Sequence, residues 1–318
     1  MGAQSLSSRA IVGSLIKRIE EATVASWVGD VSWLNADANQ EIETYKWLGE
    51  VPSLREWTGG RQAHGLKDFG VSIESKEYEA TLEVLRRELR LDKTGQIDIR
   101  IGELAAGAAR HWAQLLSPLI ANGAASAATY GTSSTYDGVD FFGNGHRDSQ
   151  DNEIGATAAT AARPTTAEMV TGILVAVEAM MGFTDEQGEP ANEGLSSIHI
   201  MGPTKYWGPL QGALRSLIIQ GSGGSIDNVL TQMEGITFSG STNTRLDASF
   251  GASNKMAVFR TDNLVKPFIR QEEDGLVVDA IAEGSEEEIK NNRHLYGIRA
   301  TRGVGYGLWE HAVEVTFA

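Results

Sequence analysis

From Ile97 to Ile120 the residues Ile97, Ile101, Leu104, Ala105, Ala108, Trp112, Leu115, Leu116 and Leu119 keep the spacing of one helical face for over five turns. At 1.5 Å per residue such a helix is about 36 Å long, the width of a small domain. The chain must therefore be laid out along it, with other elements covering the whole apolar stripe. Ala106, Gly107 and Ala109 lie between the larger residues and allow close packing. Pro118 lacks an amide hydrogen and should kink or loosen the last turn, and Gly123 should close it.

The segments before this helix cannot bury themselves. Ile11, Val12, Leu15, Ile16 and Ile19 make a second, shorter stripe. It is followed by a tryptophan-bearing piece, Trp27 to Leu34, and a polar stretch, Asn35 to Thr44. A lone amphipathic helix and a loop form no core, so this reads as an arm that must lie on another surface. Residues 45–57 read as a short helix-like piece ended by Gly59-Gly60. Phe69 to Val84 then alternates with period two, dense in charge and poor in large apolar residues. That pattern predicts one strand of a long, exposed β-hairpin, with Arg61 to Lys67 as the other. A two-stranded ribbon is marginal in water and needs a neighbour. Four of the seven tryptophans, Trp27, Trp33, Trp47 and Trp57, fall in this region. They either contact other chains or fold back onto their own domain, and the sequence leaves both readings open.

After the long helix the texture turns to Ala, Gly, Ser, Thr and Asp up to Arg163, a loop. Thr165 and Glu168 stand in capping-box positions for a helix with the stripe Met169, Val170, Ile173, Leu174, Val177 and Met181, stopped by Gly182. Leu195 to Met201 reads as a buried strand, and Pro203 opens a helix carrying Trp207, Leu210, Leu214, Leu217 and Ile218. Strands are expected at 235–239, 255–260, 275–280, 294–301 and 311–317. The class is α+β.

Composition limits function more than fold. Asp and Glu number 42 against 27 Lys and Arg, a net charge of -15, a balance that argues against a diffuse nucleic-acid binder, which needs a positive footprint. The absence of cysteine removes disulfides, thiolate nucleophiles, cysteine-ligated zinc and iron–sulfur clusters. No apolar run approaches the ~20 residues of a membrane span, and Met1 to Arg9 does not read as a secretory signal. The 36 glycines point to turns and close backbone approaches.

No catalytic constellation emerges. The six histidines form no HxxxH or HxH pair. Asp137, Asp140, His146 and Asp148 could gather a metal, but a glycine-rich loop of Asx turns is the simpler reading. Gly221-Ser222-Gly223-Gly224-Ser225 lacks the Lys-Ser/Thr of a phosphate loop, and no GxSxG is present. Runs such as Glu286-Glu287-Glu288 are normally a solvated face. We assign no catalytic, cofactor-binding or metal residues from the sequence.

Four short motifs, in order, resemble the Mu-like phage major head subunit family, within the Hong Kong 97-type capsid fold. They are Trp47-Leu48-Gly49-Glu50-Val51-Pro52 with Leu54-Arg55-Glu56-Trp57; Tyr78-Glu79-Ala80-Thr81-Leu82-Glu83-Val84 with Asp92; Tyr136-Asp137-Gly138 with Phe141-Phe142 and His146; and Tyr306-Gly307-Leu308-Trp309 with Ala312. Arg86-Arg87 and Pro118 depart from the pattern. The resemblance implies an N-terminal arm over 1–44 and a short helix with an extended β-hairpin loop over 45–84. It implies a peripheral domain with the spine helix over 85–128, an axial domain over 129–250, and over 251–318 a return to the peripheral domain and C-terminal strands, the last ending near the axial domain. It also implies a tailed double-stranded DNA phage head subunit that assembles into hexamers and pentamers, found in the virion and assembled in the host cytoplasm. Its expected partners are copies of itself, a separately encoded scaffold, a portal and decoration proteins, around DNA that is enclosed without sequence-specific contacts. Neither a membrane nor a cofactor is expected. The expected assembly contacts are Trp47, Arg55, Trp57, Arg61, Lys67, Lys76, Arg86 and Arg87, with the hairpin loop dispensable to the isolated subunit. A cellular nanocompartment shell of the same fold and a metal-dependent enzyme built on the 137–148 loop remain as alternatives.

Overall fold

The stripe of the long helix is covered by a sheet and a helix of its own chain. The computed structural model describes residues 8–22, 24–45, 70–91, 95–124, 135–185, 188–221 and 223–318. In order these form α1 (Ser8–Glu21), α2 (Ser26–Val31), β1 (Ser32–Asn35), β2 (Ile42–Tyr45), β3 (Val71–Glu74), β4 (Lys76–Leu85), α3 (Arg86–Leu91) and α4 (Gln96–Ala121). Next come β5 (Asn144–His146), β6 (Gln150–Asp151), β7 (Glu153–Ala156), α5 (Thr166–Gly182), β8 (Ser197–Gly202), α6 (Trp207–Arg215), β9 (Ile218–Gly221) and β10 (Gly224–Asp227). The last are α7 (Val229–Gln232), β11 (Thr237–Thr242), α8 (Phe250–Ser253), β12 (Lys255–Arg260), β13 (Phe268–Ile281), α9 (Glu286–Asn291), β14 (Arg293–Tyr306) and β15 (Ala312–Phe317).

Two sheets organise them. The first has the order β1-β13-β14-β4, with β1 parallel to β13 and the other pairs antiparallel. The second has the order β11-β8-β12-β15-β7, with parallel pairs at both edges. The 251–318 segment feeds both sheets: β12 and β15 belong to the second, β13 and β14 to the first. An aromatic seam joins the sheets where β12 passes to β13. Phe259 on β12 lies 5.6 Å from Phe268 on β13, and Phe141 lies 5.0 Å from Phe268.

The arm does not wait for another molecule. Ile11 and Leu15 of α1 are buried with Ile97, Ile101 and Ala105 of α4 and with Val84, Tyr296 and Ile298 of the first sheet. The short stripe of α1 fits the first turns of the long stripe on α4. Ser14 donates to Asp98 at 3.1 Å, and Arg18 pairs with the same carboxylate. Trp27, Val28 and Val31 of α2 enter the main core, with Trp33 of β1 packed against it. For Trp27 and Trp33, folding back onto their own domain is what occurs.

Of the ribbon expected over 61–84, the described part is built into the subunit. Residues 61–67 lie outside the described residues. Residues 71–74 pair antiparallel with 42–45 as β2–β3, and 76–85 pair with 293–302 of β14 as the edge of the first sheet. Val71 and Ile73 are buried, because β3 crosses the glycine-bearing end of β14. Removing 64–74 would thus strip core residues. Pro118 sits inside α4 without ending it; the amide and side chain of Asn122 both donate to the Pro118 carbonyl, at 3.0 and 2.7 Å. The capping box at Thr165 and Glu168 forms. Four stripe positions move: Met181 and Trp207 are exposed, and Leu217 and Ile218 lie beyond the helix, since α6 ends at Arg215 and the chain turns into the β9–β10 hairpin.

Candidate functional site

The motifs over 136–146 and 306–312, far apart in sequence, meet in one place. The Phe141 ring stacks on Tyr306 at 4.8 Å, and the Tyr306 hydroxyl donates to the Leu119 carbonyl of α4 at 3.0 Å. The His146 imidazole lies flat on the Trp309 indole, centroids 4.1 Å apart and planes 9° apart. Phe183, just after α5, meets the Trp309 ring edge-on. Asn152 donates to the carbonyl of Phe141 at 2.7 Å and accepts from Gly143 N–H at 2.9 Å, pinning the loop that carries both Phe and His. Asn192 donates to the carbonyls of Met180 and Glu310 and accepts from Arg260. Each amide satisfies backbone groups that burial would otherwise leave unpaired, at a cost of about 1–3 kcal/mol apiece.

The charges of this knot are internal too. Arg147 donates to the Tyr136 hydroxyl at 2.7 Å and to Glu310 at 3.2 Å, and Tyr136 donates to Glu310. Burial raises the Glu310 carboxyl above its ordinary range, opposed by the Tyr136 hydrogen bond and by Arg147. Burial also pushes the Asp137 carboxyl up, but hydrogen bonds from His146, at 2.7 Å, and from Thr135 outweigh it and hold the group below the usual range. His146 is fully buried, while Asp140 and Asp148 do not join it. No cluster of three or more metal-ligating side chains occurs among the described residues. The 137–148 loop thus uses His146 and Asp137 to fasten itself to Trp309.

A second constellation was invisible in the sequence. His199 of β8 has Ser239 Oγ 2.9 Å from Nδ1 and Ser241 Oγ 2.7 Å from Nε2, with Asp30 3.8 Å away. Serine, histidine and carboxylate are the inventory of nucleophilic catalysis. Here both ring nitrogens are occupied by hydroxyls from β11, and burial pushes the imidazole below its ordinary pKa, so the group bolts an edge strand to its neighbour. Only the pairing of β11 with β8 brings these residues together.

The proposed contact residues divide. Trp47, Arg55, Trp57, Arg61 and Lys67 lie outside the described residues. Lys76 is exposed at the start of β4. Arg86 and Arg87 are exposed on α3, and Arg86 meets an acid of its own chain, Glu288, at 3.3 Å. Beside β4, a groove of about 380 Å³ opens against α4, lined by Tyr78, Ala80, Leu104, Gly107, Ala108 and His111. Gly107 has no atom within 4 Å of where a Cβ would stand, so it faces this groove instead of a packed neighbour. On the groove wall Arg302 is held by Glu272 at 2.9 Å and lies 4.4 Å over the Trp112 ring. Burial and Arg302 together push the His111 imidazole down to about 4.

Comparisons place this geometry among known proteins. Residues 27–169 match the model of the Mu-like prophage major head subunit gpT family. The major capsid protein of Escherichia phage Mu is 32% identical over 110 residues, 35% of this chain and 34% of that protein. The chain thus aligns with about a third of that relative's length. The procapsid of bacteriophage JBD30 superimposes with a TM-score of 0.51 at 18% identity, over 97% of this chain and 74% of that one. The capsid of cyanophage P-SCSP1u does so with a TM-score of 0.56 at 14% identity, over 93% and 89%. The four-stranded sheet with its long helix and the five-stranded sheet beside it are the fold of phage capsid subunits, and residues 27–169 are similar to the Mu-like major head subunit gpT family.

Proposed function

We propose that this chain is the major head subunit of a tailed double-stranded DNA phage and assembles with copies of itself into a closed icosahedral shell of hexamers and pentamers. The family match over 27–169, inside a capsid fold that extends over more than nine-tenths of the chain, carries this reading. Its role is structural, not catalytic. In this reading α4 and the first sheet form the peripheral domain and the five-stranded sheet the axial domain. The β4 edge of the first sheet borders the joint with a neighbouring copy. Lys76 and Arg87 supply charge at that joint. Exposed ion pairs give only about 0–1 kcal/mol each, so many repeated apolar contacts must hold the shell.

The net charge of -15 suits a wall that confines DNA without gripping it. A scaffold, a portal and assembly in the host cytoplasm complete the proposal. The purified chain, alone and with its scaffold, should give uniform hollow particles by negative-stain microscopy. A chain that stays monomeric in sedimentation under every assembly condition refutes the reading. Shells formed in cells around an enzyme cargo instead of DNA would favour the nanocompartment.

A further inference from the structure

We propose that the β9–β10 hairpin is a contact between neighbouring copies of this chain. The proposal rests on the shell reading and names one surface for it. Ile219 of β9 is buried against the domain, but Leu217, Ile218, Ile226 and Val229 are all at least half exposed. Ile218 is opposite Asp227, and Ile226 is opposite Ile219, so apolar side chains project from both faces of the ribbon. The hairpin is a sheet of its own, and every residue from Ser225 to Asp227 is exposed. A two-stranded ribbon with bare aliphatic side chains is marginal in water and is stabilised by whatever covers it.

Charge identifies the occupant. Between Ser216 and Gln232 the only charged residue is Asp227, in a chain where 22% of residues are charged. Two copies, each at -15, repel over most of their surface. They can approach at least cost where charge has been removed, and depletion of charge around aliphatic residues is the composition of an interface core. The glycine turn at Gly223-Gly224, with Gly224 at φ 127°, keeps the tip slim enough to enter a neighbour's surface.

The chain contains no cysteine, so Ser225→Cys places a single thiol on the hairpin. The probe is a small maleimide, applied to the unassembled subunit and to particles. Labelling in particles should be at least tenfold slower, and dissociating them should restore the free rate. Ile226→Glu should leave the melting temperature of the unassembled subunit unchanged and lower particle yield at least tenfold. Particles whose introduced thiol reacts as fast as in the free subunit overturn the hairpin contact and leave the shell reading intact. A parent chain that forms no particles overturns the shell reading and this contact with it. If Ile226→Glu unfolds the subunit, the labelling rate alone decides.

Discussion

Substituting Gly305 probes why the end of β14 is rich in glycine. A Cβ at Gly305 would stand 2.5 Å from Ile73 Cδ1 and 2.6 Å from Ile73 Cγ1, where β3 crosses β14. Real Cβ atoms do not come so close, so Gly305→Ala must push Ile73, itself 1% exposed, off its rotamer or shift β3. Overpacking of this kind costs about 1–3 kcal/mol. Ile73→Ala alone removes the obstruction but leaves a cavity, at about 2–5 kcal/mol. In the double variant the new methyl enters the space the isoleucine leaves, so the loss should fall short of the sum by at least about 1 kcal/mol. Gly307→Ala is the contrasting case. Its Cβ would meet the Lys266 carbonyl oxygen at 2.4 Å and that of Pro267 at 3.1 Å, and no side-chain truncation removes a backbone atom. Urea unfolding of the unassembled subunit reads all four variants. With a slope of roughly 3 kcal/mol per molar, a 2 kcal/mol loss moves the midpoint by about 0.7 M. A Gly305→Ala midpoint equal to the parent's, or a double variant that is strictly additive, refutes the reasoning.

The remaining predictions concern the knot, the arm and acid. His146→Ala removes the Trp309 stack and leaves the Asp137 carboxylate short of its partner; a loss of about 2–4 kcal/mol is expected in the same urea assay, with bound metal unchanged by elemental analysis. Leu15→Ala should undock α1 ahead of global unfolding, raising amide exchange across Ser8–Glu21, whereas Arg18→Ala, losing a half-exposed ion pair, should cost no more than about 1 kcal/mol. His311 is buried, with Nδ1 3.0 Å from the Val265 carbonyl, and burial with Arg260 pushes its imidazole down to about 4 from 6.5. A depressed histidine leaves its stability in place above the unfolded pKa and loses it as pH falls toward the folded one. Between pH 7 and 5, stability should drop by about 2 kcal/mol more in the parent than in His311→Asn, and equal slopes in urea titrations would contradict the assignment.

Helical periodicity alone fixed the positions of α4, α5 and the capping box at Thr165, because a 3.6-residue stripe and a local cap depend only on neighbours along the chain. The class, and the order of motifs that resembles a head subunit family, were equally legible. Where the stripes go was not. The face of α1 that reads as an arm in search of a surface finds it on α4, and no local pattern states which of two apolar faces will meet. The charged alternation of 76–85 is right for an edge strand, yet its partner among the described residues is β14, more than two hundred residues away. The same holds for the site. His146 and Trp309 are only motif letters until β15 and the 135–152 loop close on each other. Asn152, Asn192 and Glu310 follow no period at all. Their positions are set by backbone carbonyls and buried charges that exist only once the sheets have packed, so tertiary structure alone decides what they do.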